Sequence, residues 1–144
     1  MTVDRSARYV RPKLGELVAT MEVVGVPPLT RNVASMKRAT YRAWLAALDA
    51  AAGDGARQRK RDDVGLFSVR MELRLYDPGG QGSDLDNYVK PIQDAMARHG
   101  TFGPTAHKGS TMRGDEHVDH LEVRRRRVNS AADAGVLVEV WSLA

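Results

Sequence analysis

With 144 residues, 42% of them hydrophobic, the chain is long enough for one globular domain around a single core. It contains no cysteine, which excludes disulfides, thiolate zinc sites and thiol nucleophiles and suits a reducing cytoplasm. The formal charge is +4, from 22 basic and 18 acidic residues, and no segment has a signal-peptide pattern or the length of a membrane span. We therefore expect residues 1–144 to form one cytoplasmic domain without membrane contact.

The chain begins with a segment that has no regular period and then shows its first strand. Residues 1–15 predict a loose N-terminal arm. Apolar side chains alternate over 17–24, which is typical of a strand. Gly25 and the pair Pro27 and Pro28 are expected to end it, because proline cannot donate to a strand ladder.

The next segment, 36–52, has the period of a helix. Its apolar residues recur at spacings of three and four and form one face that includes Tyr41 and Trp44. Basic residues nearby make base stacking an alternative role for these aromatic rings, but a place in the core is the favoured interpretation. Gly53 and Gly55 are expected to end the helix.

A second strand leads through a flexible turn into a second helix. Residues 66–76 alternate strictly between apolar and polar side chains, which predicts one buried and one wet face. The glycine-rich stretch 77–82 follows, and then an apolar stripe predicts a helix over 86–99. Pro91 conflicts with that helix, because it leaves the carbonyl four residues earlier without a donor. Either the helix begins nearer Val89 or its first turn is distorted.

The last part of the chain predicts a long loop and two strands. Residues 101–114 have no period and several glycines, and loops of this length are usually functional or disordered. Residues 118–128 and 135–143 predict strands that the short connection 129–134 would join as an antiparallel hairpin. The last strand is apolar on both faces, as a central strand is. The fold class is α+β: one small domain with a mixed sheet and two main helices, in the order β-α-β-α-β-β.

Charged side chains at the start of the second helix predict a functional site. Asp84 and Asp86 can converge on one point, and their hard oxygens suit Mg²⁺ or Mn²⁺. Lys90 follows one turn later on the same helix face, where it can meet a phosphate. The alternative is structural: either carboxylate can cap the helix, and Asp86, Lys90 and Asp94 can form ion pairs at spacings of four.

The pattern D-x-D-N-x-x-K-x-x-x-D-A at 84–95, with the acidic stretch D-E-H-V at 115–118, resembles the RusA family of Holliday-junction resolvases. Asp115 lies 29 positions after Asp86, a wider spacing than the family usually has, so an enlarged loop stands between them. The resemblance covers the chain from about Leu17 onward, and its specific part is the motif at 84–95.

The resemblance implies the roles of four residues and the partners of the protein. Asp84, Asp86 and Asp115 would hold the metal, Mg²⁺ or possibly Mn²⁺ in its place, and Lys90 would assist the chemistry. All four would be catalytic. The protein would act as a homodimer on branched DNA, a four-way junction that two related active sites nick on opposing strands.

Basic residues in three places predict contacts with DNA phosphates. Arg57, Arg59, Lys60 and Arg61 form one cluster, Lys108 and Arg113 lie in the long loop, and four arginines follow one another over 124–127. Such clusters bind DNA with a strong dependence on salt, and a solvated surface is the alternative.

The function expected from these features is a Mg²⁺-dependent, structure-selective endodeoxyribonuclease that resolves Holliday junctions by paired nicks in DNA recombination and repair. Two alternatives stay open. One is a nuclease of the same fold that prefers flaps or forks. The other is a non-catalytic nucleic-acid-binding module in which the carboxylates are only caps and ion-pair partners.

Overall fold

The computed structural model describes residues 10–30, 38–58, 65–76, 85–102 and 117–144. Their elements are β1 (Leu14–Val24), α1 (Arg38–Ala56), β2 (Phe67–Leu75), α2 (Leu85–Arg98), β3 (Val118–Arg127) and β4 (Gly135–Leu143). The described residues form a four-stranded mixed sheet with two helices, so the predicted fold class and element order are confirmed.

The strands lie in the order β1-β4-β2-β3. β4 is antiparallel to both of its neighbours, whereas β2 and β3 are parallel. It follows that β1, β2 and β3 all run in one direction, and that α1 and α2 are the crossovers between them. The helices therefore connect parallel strands, and β4 fills the place between β1 and β2.

The predicted hairpin of the last two strands is wrong, because β2 lies between β3 and β4. The backbone N–H of Val128 donates to the carbonyl of Leu75, 2.9 Å away, so β3 stays paired with β2 to its end. The connection 128–134 instead passes the end of β2, about 10 Å across two strand spacings. The central position predicted for β4 is confirmed, with Val136, Val138 and Val140 buried.

One face of the sheet packs against both helices and forms the core. α1 contributes Trp44 and Leu48, and α2 contributes Ile92 and Met96, all fully buried. The core interpretation of Trp44 is confirmed. Tyr41 lies only half-buried at the margin of this core.

α1 does not end where its glycines were expected to end it, since it continues to Ala56. A Cβ on Gly55 would lie 2.7 Å from the carbonyl oxygen of Thr20, and one on Gly53 would lie 3.3 Å from the ring of His99. The missing side chains let the end of α1 approach β1 and the end of α2. Close packing therefore offsets the cost of about 1 kcal/mol that glycine carries in a helix.

The two helices run in the same direction across the sheet. The second half of α1 is joined to the end of α2 through Asp49, whose carboxylate lies 2.8 Å from His99 and 3.6 Å from Arg98. Phe102, just beyond α2, contacts Phe67 at the start of β2, with ring centroids 6.0 Å apart. The starts of α1 and α2 therefore point to the edge of the sheet at which β1, β2 and β3 end.

The second face of the sheet carries charged side chains and is partly covered. Arg11, which precedes β1 at one side of the sheet, reaches Glu122 on β3 at the other side, with N–O distances of 2.6 and 2.7 Å. Residues 1–15 were predicted to be a loose arm, but residues 14–15 belong to β1 and Arg11 is held by its ion pair with Glu122. Arg70 and Glu72 are only partly exposed, so this face of β2 is less wet than its alternation predicted.

Candidate metal and nucleic-acid site

The first turn of α2 holds the candidate site because of the way the helix packs. Tyr88, Val89 and Ile92 are buried, which turns the opposite side of the helix outward. Asp86 and Lys90, four residues apart, are both exposed on that side. We call this pair the α2 ridge. The structure thus brings two of the predicted catalytic residues to one surface, near the ends of three parallel strands.

Lys90 has an ion-pair partner on its own helix. Its Nζ lies 3.1 Å from Oδ1 of Asp94, the i,i+4 pair that the structural interpretation predicted. The Lys90 side chain is 71% exposed. Exposed pairs of this kind stabilise a helix by only about 0.3–0.5 kcal/mol, so Asp94 does not fix the ammonium group. A phosphate near the ridge can therefore compete for Lys90.

Two grooves flank the α2 ridge. The α1–α2 groove, about 540 Å³, is lined by Tyr41, Leu45, Asp86, Asn87, Lys90, Pro91, Asp94 and Arg98. The α2–β3 groove, about 460 Å³, is lined by Leu85, Asp86, Val89, Lys90, Gln93, Leu121 and Val123. Asp86 and Lys90 belong to both, so a strand lying across the ridge has a concave surface on each side.

The predicted metal ligands are described only in part. Asp84 and Asp115 lie outside the described residues, which leaves Asp86 as the described member of the set. Within the described ranges, no group of three or more His, Asp or Glu side chains is placed to hold a metal. The exposed carboxylate of Asp86 does fit Mg²⁺ in its chemistry, since this ion prefers carboxylate oxygens and retains several waters.

The strand pairing sets a condition on the third predicted ligand. Val118 at the start of β3 pairs with Phe67 at the start of β2, which is the end of the sheet away from the start of α2. Two residues of β3 line the groove with Asp86, and Leu121 is the one closer to the start of β3. The step from Val118 to Leu121 is about 10 Å, so a carboxylate that joins Asp86 from before β3 must cover about that distance.

Arg57, one of the basic residues predicted to bind DNA, lies far from the ridge. It follows the end of α1 and pairs with Asp54. About 24 Å of helix separates it from Tyr41, which lines the same groove as Asp86. Arg59, Lys60, Arg61, Lys108 and Arg113 lie outside the described residues. Arg57 is therefore not part of the α2 ridge.

The core interpretation of Tyr41 is confirmed in part, because the side chain packs against the margin of the core and also lines the α1–α2 groove. Its place in the groove was not predicted, and neither was the division of a basic run between the two sheet faces. The arginine run 124–127 divides between the two faces of the sheet, because Arg125 pairs with the buried Leu73 and Arg124 with Glu72. The period of two in a strand would have revealed this division. The position of Tyr41 depends on how the helices pack, which no local pattern gives.

No family model matches the chain, and no curated protein matches it either. The likeness to the RusA family therefore rests on the motif at 84–95 and its place at the start of α2. Neither α1 nor α2, the helices of the described part, is long and apolar enough to cross a membrane.

Proposed function

We propose that the protein is a Mg²⁺-dependent, structure-selective endodeoxyribonuclease similar to the RusA resolvases. It would act in the cytoplasm as a homodimer and nick branched DNA. One observation carries this proposal: the D-x-D-N-x-x-K motif falls at the start of α2, where Asp86 and Lys90 are exposed together on one ridge. Ligands of sheets built from parallel strands and crossovers usually bind at the ends of the strands, and the start of α2 points there.

The ridge supplies the groups that hydrolysis of a phosphodiester needs. Asp86, with Asp84 and Asp115 as the proposed further ligands, would hold the metal through carboxylate oxygens. The metal supplies a nucleophilic water and neutralises charge on the phosphate. Lys90 adds a positive charge on the same side of α2, where it stabilises the negative charge that builds up on the phosphate oxygens. Its weak pair with Asp94 leaves it free to do so.

The decisive variant is Asp86→Asn. Asp86 is exposed in the first turn of α2, where its charge favours the helix by only about 0.3–1 kcal/mol, so the fold should persist in the asparagine variant. The change removes a charged metal ligand, and we expect cleavage of a four-way junction in Mg²⁺ to fall at least about 100-fold. Binding of the same junction in EDTA should persist or tighten, because one negative charge near the phosphates is gone. Nicking rate and gel-shift affinity are measured on the same folded preparation.

The matched control is Asp94→Asn, at a position that lies one helical turn beyond Lys90 on α2. Asp94 also lines the α1–α2 groove, but the motif gives it no metal. We expect this variant to cut near the parental rate. Lys90→Ala should lose cleavage and still bind metal. An Asp86→Asn protein that cuts as fast as Asp94→Asn would refute the nuclease mechanism.

The ion pair of Lys90 with Asp94 favours one rival, a non-catalytic nucleic-acid-binding module in which these charges only solvate the helix. That rival predicts binding without cleavage for every substrate. Junction, fork, flap and plain duplex, offered side by side in Mg²⁺ and Mn²⁺, separate the three functions. Cutting restricted to flaps or forks would keep the chemistry and replace the junction as substrate.

A further inference from the structure

The α1–α2 groove differs from the other groove in having an aromatic wall. Tyr41 is partly buried, packs against the margin of the core and also lines the groove. Leu45 and Pro91 add apolar surface. The volume of about 540 Å³ lies within the range of about 300–1,000 Å³ that small-molecule sites have. The groove therefore combines an aromatic ring with apolar surface, and its volume suits one nucleotide.

Polar residues line the same groove. Asn87 and Arg98 are among its lining residues, and their side chains carry hydrogen-bond donors and, for Asn87, an acceptor. The edge of a base can pair with groups of this kind. The groove thus combines an aromatic ring with polar partners for a base.

We propose that the α1–α2 groove binds one unpaired nucleotide of the substrate strand. Its base lies against Tyr41, and its phosphate lies toward Asp86 and Lys90 on the ridge. This inference rests on the proposed function and adds a specificity-determining residue to it. Bases in a duplex are already stacked, and extruding one is costly, so an unpaired nucleotide at a branch enters most readily. Among the described residues, the lining of the α2–β3 groove includes no aromatic side chain, so the base is assigned to the α1–α2 groove.

The test compares DNA binding of three proteins: the parent, Tyr41→Phe, which keeps the ring, and Tyr41→Leu, which keeps only apolar bulk. The probes are a duplex with a one-nucleotide bulge and the fully paired duplex of the same sequence, both in EDTA. We expect Tyr41→Leu to weaken bulge binding about tenfold, in the range measured for base–aromatic stacking, and to leave duplex binding unchanged. Tyr41→Phe should bind as the parent does.

A second measurement locates the base directly. A bulged 5-iododeoxyuridine, irradiated in the complex, should crosslink to Tyr41 in the parent. A crosslink that maps only to residues outside the groove overturns the proposal, as does an equal loss of bulge and duplex binding. Melting temperature guards against a folding defect, and if Tyr41→Leu fails to fold, the Phe variant and the crosslink still decide.

The outcomes for the groove and for the nuclease are distinct. The Tyr41 pattern in EDTA without cleavage in Mg²⁺ supports the groove and removes the nuclease. Cleavage that depends on Asp86 but bulge binding that ignores Tyr41 keeps the nuclease and overturns the groove. A protein that binds neither probe overturns the groove, and cleavage of the four-way junction then decides the nuclease separately.

Discussion

On the sheet face opposite the helices, the carboxylate of Glu122 on β3 contacts several charged side chains. Besides its two short contacts with Arg11, its carboxylate lies 3.6 Å from Arg70 and 3.7 Å from His120. Partial burial raises the pKa of Glu122, but the hydrogen bond from Arg11 and the charges of Arg11, Arg70 and His120 outweigh it. The pKa therefore lies below its ordinary value of 4.5. A carboxyl with a lowered pKa stabilises the fold in its ionised form.

The lowered pKa of Glu122 predicts a pH-dependent contribution to stability. The contribution is present above the ordinary value of 4.5 and is lost as the pH falls through the lower pKa of the folded state. Glu122→Gln should therefore melt below the parent at neutral pH, and the difference should shrink as the pH falls below 4.5 and through the lower pKa of the folded state. Melting curves from about pH 7 to about pH 3 measure this.

The control for Glu122 is its partner. Arg11→Gln should show the same shrinking difference, and the double variant should lose less than the sum of the two single losses, because both remove one interaction. A Glu122→Gln deficit that stays constant across the pH range would contradict the assignment.

At the scale of the element, α2 combines the strongest sequence signal with a local defect. The structure resolves the conflict over Pro91 by keeping the proline as the seventh residue of a helix that begins at Leu85. The helix does not begin near Val89. Packing of the buried stripe offsets the lost hydrogen bond.

Pro91→Ala should raise stability. Alanine restores an N–H for the carbonyl of Asn87, so the free energy of unfolding should rise by up to about 3 kcal/mol, measured by urea unfolding. The control is Gln93→Ala, which introduces alanine into the same helix but leaves the proline in place. It should not stabilise the fold comparably. Unchanged or lower stability in Pro91→Ala would show that the carbonyl already has an equivalent partner.

The existence of each helix and strand could be predicted because apolar residues recur at the period that each element requires. The ends were less certain, and α1 shows why. Gly53 and Gly55 look like a stop in the sequence, but they mark places where His99 and Thr20 come close. Only the packed structure distinguishes a glycine that ends a helix from one that makes room for a neighbour.

At the scale of the whole molecule, the neighbours of each strand were not encoded in a local pattern. A short connection over 129–134 predicted a hairpin, yet β2 takes the place beside β4. The same limit applies to the site. Asp86 and Lys90 could be predicted to lie together because one helix carries both. Tyr41 belongs to another helix and lines the same groove only because the two helices pack together.

A substitution at Gly135 tests how much the close pairing of β1 with β4 contributes to the stability of the fold. Its φ is +150°, and a Cβ there would lie 1.8 Å from the carbonyl oxygen of Val23 on β1. Gly135→Ala must therefore strain the backbone and push β1 and β4 apart, and we expect a loss of roughly 2–5 kcal/mol in unfolding free energy. Because β4 pairs with two strands, the loss should appear in one cooperative transition.

The matched control is Gly100→Ala. Gly100 also has a positive φ, +76°, but a Cβ there meets nothing within 4 Å. This variant should lose only about 1–2 kcal/mol, the cost of a left-handed residue. Equal losses at the two glycines would mean that crowding at β1 contributes nothing.

The place of β4 in the sheet also has a consequence for protein synthesis. A ribosome makes the strands in the order β1, β2, β3, β4, and β4 is the one that joins β1 to the rest. While the nascent chain lengthens, β2 and β3 can pair, but β1 has no partner strand until β4 emerges, beginning with Gly135 opposite Val24. During that interval β1 and one side of β2 present unpaired backbone groups, the kind of edge that recruits other chains. Slow translation through β4 would therefore prolong the time during which these edges are exposed to aggregation.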